Sequence, residues 1–181
     1  MEINKILSTV AEMLDLPSDV VSDVSSDEKC LSLLILSFNN VVTEIAEEYV
    51  PFEKSESISS IGGMIPFYSF SEKVYKVKSI LNDKGKKVKF TMGQKGVFVD
   101  GDQRSYTVNY TYIPKSVGYG ESVDLPSHIS ERTISYGVAG EYAMIAGRYD
   151  DCVNYDTRFN SAINSAKRDI REKVLPVRRC F

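Results

Sequence analysis

The chain has 181 residues, of which 43% are hydrophobic and 26% charged, and its formal net charge is −3. That is an ordinary globular balance; an intrinsically disordered chain would carry fewer apolar residues and a larger net charge. The length suits one domain, or one domain with a sizeable insertion.

Three cysteines, Cys30, Cys152 and Cys180, lie far apart. Zinc sites need short ligand spacings, and a secreted disulfide framework needs an even number, so neither is expected. Cys30 and Cys152 fall in predicted helices, as small buried apolar groups. The segment Met1–Lys5 opens an amphipathic pattern without the features of a signal peptide, and no apolar run approaches the roughly 20 residues that span a bilayer. Synthesis in the cytoplasm is expected. Charge is distributed unevenly. Residues 1–60 hold 12 acidic and 3 basic groups, whereas residues 167–181 hold 2 acidic and 6 basic ones. Solvated helix faces account for this pattern, and so does acidic-to-basic docking between copies or partners.

In chain order, Ile3, Ile6, Leu7, Val10, Met13 and Leu14 form one apolar stripe and predict a first helix, closed by Leu16-Pro17-Ser18. Ser25 and Glu28 have capping-box spacing and open a second helix. From Cys30 to Phe38 it is apolar nearly all round, as a central core helix would be; it then narrows to a stripe ending near Tyr49, before Pro51. Asn39 and Asn40 in its middle are expected to face outward or to cap a neighbour. Residues 53–66, rich in Ser and Gly, read as a linker or long loop.

The middle of the chain reads as β. Lys73–Leu81 is a strand, Asn82–Gly85 a turn, and Val88, Phe90 and Met92 alternate with polar residues. A turn at Gly93–Gly96 leads to Val97–Val99, and Asp100-Gly101 is a hairpin signal. Tyr106, Val108, Tyr110 and Tyr112 alternate with polar residues in the cleanest strand. Four strands joined by tight turns predict an antiparallel sheet.

Helices return after Asp124-Leu125-Pro126, with Pro126 in the first turn of the next helix. Its small residues, Gly137, Ala139, Gly140 and Ala143, let a neighbour approach closely; Gly147 is its expected C-terminal cap. The last helix starts near Asp150, with a stripe from Cys152 through Tyr155, Phe159 and Ile163 to Ile170 and Val174, and Pro176 ends it. The order helix, helix, sheet, helix, helix predicts an α+β chain: a helical bundle of about four helices interrupted by a small antiparallel β insertion. The helical domain covers residues 1–60 and 121–176, the β-rich insertion 64–120, and a tail 177–181.

Chemistry is sparse. The lone histidine, His128, has Ser127 and Asp124 nearby in sequence, but a triad is assembled in space and local adjacency means little. Adjacent acids such as Glu47-Glu48 point to different sides of a helix and do not converge on a metal. No enzyme activity and no cofactor are expected. The strongest binding signal is basic: from Lys73 to Lys95 there are eight lysines and one acid, Asp83, with Tyr75 and Phe90 interleaved. Lys76, Lys78, Lys86, Lys87 and Lys89 form a candidate patch for single-stranded nucleic acid. Lysines guarding exposed strand edges are the alternative.

The C-terminal third carries a recognisable pattern. Leu125-Pro126-Ser127-His128-Ile129 leads into Tyr136-Gly137-Val138-Ala139-Gly140-Glu141-Tyr142-Ala143, then Gly147-Arg148-Tyr149-Asp150, then Tyr155, Phe159 and Ala162. This resembles the head-to-tail adaptor (head-tail connector) proteins of tailed bacteriophages, with residues 1–50 fitting the same scheme more loosely. The resemblance implies a structural virion protein at the head-tail junction, made in the bacterial cytoplasm. It implies a homo-oligomeric ring of about twelve copies between the portal protein and tail proteins, through which DNA passes without specific binding and with no membrane involved. An acidic chain suits such a conduit. It further implies that the C-terminal extension docks on the portal, with Arg178, Arg179 and Phe181 as anchors.

Overall fold

The structure is a computed structural model that describes residues 1–17, 19–21, 27–101 and 104–169, the last two without their side chains. The described residues form a mixed α+β fold of four α-helices and two small antiparallel sheets. They divide into two compact units: the described residues of Met1–Val41 with Tyr119–Phe181, and Val42–Gly118.

The first unit holds α1 (Ile3–Met13), most of α2 (Glu28–Glu44), α3 (Glu131–Ile145) and α4 (Tyr149–Asp169). In α1 the expected stripe is buried at Ile3, Ile6, Leu7, Val10 and Leu14. The helix ends before Pro17 acts. Asp15 takes a left-handed conformation (φ 52°), and the Leu16 amide donates to the Ala11 carbonyl at 2.9 Å, a Schellman-type closure. The amide of Cys30 donates to Asp27 Oδ1 at 3.0 Å and caps α2; Ser25, the expected cap, lies outside the described residues. Asn40 is exposed and donates to Glu141 at 2.9 Å, while Asn39 folds back onto the Ile35 carbonyl.

Contrary to expectation, α2 is not buried all round. Leu34 and Phe38 are fully buried, but Leu36 is 48% exposed. From Glu28 to Tyr49 the helix reaches the length and mean apolarity of a membrane span, with 44% of its most apolar stretch buried inside the protein. A core helix of a soluble protein meets the same criterion.

Helix α3 starts five residues after Pro126. Ser130 accepts from the Thr133 amide at 3.1 Å and sets the start, while Pro126 accepts from the Ile129 amide in a preceding turn. Gly147 (φ 74°) ends the helix as expected. The small residues of α3 are consumed within the chain. A Cβ on Gly137 would meet Val41 at 2.8 Å and Phe159 at 3.0 Å, and one on Gly140 would meet the Asp156 backbone at 3.3 Å. That stripe therefore faces α2 and α4 of the same molecule. Phe159 and Ile163 are the buried residues of α4 among those described; Ile170 and Val174 lie outside the described residues.

The second unit opens with the end of α2, which loosens into a π-helical turn at Ile45–Tyr49. Among the described residues seven strands follow: β1 (Phe52–Ser59), β2 (Met64–Pro66), β3 (Lys73–Leu81), β4 (Lys87–Val88), β5 (Phe90–Met92), β6 (Gly96–Val99) and β7 (Ser105–Ile113). One sheet has the order β1-β7-β3-β4 and the other β2-β6-β5. Their inner faces share one core, with Ile58, Val77, Ile80 and Tyr106 from the first sheet and Ile65, Val97 and Val99 from the second.

Three expectations are corrected. Residues 53–66 are not a loop: β1 pairs with β7 over its whole length, Phe52 opposite Tyr112 and Ile58 opposite Tyr106. Its inward positions include Lys54 and Glu56, which conceal the apolar alternation. Val88–Met92 is not one strand, because the chain changes sheets at Lys89. Asp100-Gly101 does not close a hairpin, since β6 and β7 belong to different sheets. The most continuous apolar face, that of β7, takes the central position between β1 and β3.

Candidate functional site

Strand β3 is irregular in a way that shapes the surface. Against β7 its register slips between Val74 and Lys76 and again between Val77 and Ser79. These two bulges leave Tyr75 and Lys78 without a cross-strand partner, and bulges of this kind re-aim side chains. Inward residues thus recur every third position, as Val74, Val77 and Ile80, opposite Tyr112, Tyr110 and Val108. Tyr75, Lys76 and Lys78 are exposed. With Glu47, Pro51 and Thr111 they line a cleft of about 620 Å³. Lys78 pairs with Glu53, and the Thr111 hydroxyl donates to the Lys76 carbonyl at 3.3 Å.

The other candidate lysines are spread out. Lys86 sits in the β3–β4 turn, where Asn82 Oδ1 accepts from the amides of Lys84 and Lys86 at 3.1 and 2.8 Å. Lys87 pairs with Leu81, which pairs with Thr107, so it shares the outward face with Lys76. Lys89 lines a second cleft of about 710 Å³ with Phe90, Thr91 and the half-exposed Phe98. The structure therefore joins Lys76 and Lys78 in one cleft, sets Lys87 further along the same face, and places Lys89 against the other sheet. Of the eight lysines from Lys73 to Lys95, Lys78 alone makes an ion pair among the described residues. Arg178, Arg179 and Phe181 lie outside the described residues.

Behind the cleft, on the inner face, a polar cluster ties the loop after β2 to β1. Ser71 donates its amide to Glu56 at 3.2 Å and its hydroxyl to the same carboxylate. Lys54 pairs with Glu56 at 3.1 Å and donates to the Ser71 hydroxyl oxygen at 2.6 Å. Burial alone would raise the Glu56 carboxyl. The donors from Ser71 and Lys54 outweigh it and hold the group down at about 2. Burial pushes the neighbouring Tyr110 phenol up. The polar groups of Lys54, Glu56 and Ser71 are turned toward one another, which gives this cluster a structural role.

The residues considered for catalysis do not assemble. His128 and Ser127 are exposed in the turn before α3, and no hydrogen bond joins His128 to Ser127 or Asp124 among the described residues. No three metal-ligating side chains converge among the described residues. Cys30 is buried as expected, but it also contacts the Tyr142 hydroxyl at 3.1 Å; burial, together with that contact, pushes the phenol up to about 12. Burial likewise raises the Cys152 thiol, with Asp156 and Glu141 adding to it, which disfavours a thiolate nucleophile.

Sequence reading overlooked an arginine–tyrosine cluster on α3 and α4. Tyr136 and Tyr155 stack with ring centroids 6.4 Å apart, and Arg132 and Arg158 lie over the Tyr136 ring at 5.4 and 5.8 Å. The i,i+4 spacing of Arg132 and Tyr136 was the available signal. No protein-family model matches the sequence, and no curated protein matches it either.

Proposed function

We propose that this protein is a non-enzymatic virion component, a head-to-tail adaptor that forms a ring between the portal protein and the tail and extends the DNA channel. On this reading the helices form a bundle interrupted by a β insertion. The division into a unit drawn from both ends of the chain and one drawn from its middle supports that.

The observation that carries the reading is an exposed apolar corner in the segment that resembles adaptors. Met144, Ile145, Tyr149 and Val153, at the α3–α4 turn, are 56%, 41%, 71% and 68% exposed. Four exposed large apolar side chains within ten residues around one turn between helices suit a protein–protein contact, and a ring requires a heterologous contact repeated from copy to copy. The residues that carry the resemblance also hold this corner in place. Arg148 donates to the Leu14 carbonyl at 2.8 Å and Tyr155 to that of Met13 at 2.6 Å, so both cap the C-terminus of α1.

Quantitative mass spectrometry of purified virions tests the proposal. An adaptor is expected in equimolar ratio with the portal protein; absence from the particles rejects the reading.

A further inference from the structure

We propose that the bulged strand β3 and the outward face beside it bind single-stranded nucleic acid. The inference is independent of the adaptor reading, since it concerns a surface of the second unit alone.

Three observations converge. The first is charge. Seven of the eight lysines between Lys73 and Lys95 have no ion-pair partner among the described residues, and all eight are exposed. The second is the bulge pair. It sets Tyr75, half exposed, beside Lys76 in a cleft of about 620 Å³, a volume within the usual range for small-molecule sites. The third is the register. From the Lys76–Thr111 row the outward face continues through Ser79 and Asn109 to the row of Lys87, Leu81 and Thr107. Lys76 and Lys87 thus stand about 13 Å apart along the strands, with Ser79 and Asn109 between them, the Asn109 amide donating to the Ser79 hydroxyl at 3.0 Å.

The combination favours a single strand over other polyanions. A ring on an open sheet face stacks on unpaired bases, which a duplex does not offer, and lysines follow the backbone without reading sequence. The segment from Lys73 to Lys95 contains no arginine, the side chain that most often reads guanine in a duplex groove. An acidic protein partner or an anionic membrane would use the lysines but leave the Tyr75 cleft without a role. The clustering of charge and ring on a chain of net charge −3 also makes diffuse adsorption a poor account of any binding found.

The test is fluorescence anisotropy of a labelled oligothymidylate with the full chain across a salt series, run beside a duplex of equal length and phosphatidylserine vesicles. The expected result is binding to the single strand that weakens with salt. Lys76→Glu with Lys87→Glu should reduce the slope of log affinity against log salt by about 1.4, about 0.7 for each phosphate no longer neutralised. Tyr75→Leu, at an exposed position, should weaken binding roughly 5- to 100-fold, and Lys29→Glu on α2 should leave it unchanged. Tyr75→Leu also decides the matter if the double variant fails to fold by circular dichroism. Absence of binding at low salt, binding to vesicles or duplex alone, or a Tyr75→Leu protein that binds as the wild type overturns the proposal.

Discussion

Single residues in the second unit carry clear physical consequences. Glu56 is held at about 2 against an ordinary value of 4.5, so its ionised form is favoured in the folded state. Its contribution to stability is fully present above the ordinary value and is lost as pH falls toward about 2. Glu56→Gln is expected to cost about 1–2 kcal/mol at neutral pH. The gap from wild type should close as denaturation is measured at progressively lower pH; a gap independent of pH contradicts the assignment. Gly96 illustrates a different constraint. A Cβ there would run into the Ile65 carbonyl and come within 2.9 Å of Pro66 Cα, backbone atoms of the paired strand β2 that cannot step aside. Gly96→Ala should destabilise by about 1–3 kcal/mol, read as a lower thermal midpoint.

At the scale of elements, sequence signals for starts and stops compete, and geometry selects among them. Pro126 announces a helix in the sequence, but the structure starts it at Ser130. Only Ser130 has a side chain that accepts from an amide of the following turn, at Thr133, and α3 begins there. Ser130→Ala should therefore cost about 1 kcal/mol, observable in chemical denaturation, whereas Ser127→Ala, in the exposed turn, should cost little. The strands show the same competition. Apolar alternation identified β7 because its inward residues are all apolar, but it missed β1, where Lys54 and Glu56 occupy inward positions and are satisfied by Ser71 and by each other. A charged pair with internal partners satisfies the requirement of a half-buried face as an apolar residue does, and no local pattern announces it.

At the scale of the whole molecule, the chain is α+β with four helices and two antiparallel sheets among its described residues. The adaptor reading makes its prediction here. Arg178→Glu with Arg179→Glu is expected to weaken co-sedimentation with portal rings roughly tenfold or more, the usual consequence of losing interface hot spots. Unchanged co-sedimentation would remove the C-terminal tail from the docking surface. The small residues of α3, by contrast, are already in contact with α2 and α4, so on the adaptor reading the proposed contact with a neighbouring copy falls to the exposed Met144, Ile145, Tyr149 and Val153.

What the sequence by itself determined was local. Periodic apolar stripes placed α1, α4 and the long β7 strand, and a glycine marked the end of α3, because each depends on backbone geometry and near neighbours in the chain. The lysine-rich character of residues 73–95 was equally visible. Only the tertiary structure decided which lysines meet. Two bulges against β7 bring Lys76 and Lys78 to one cleft with Tyr75, and the change of sheet at Lys89 sends that residue elsewhere. Register, strand order and sheet membership depend on partners far away in the sequence, so no window of residues carries them.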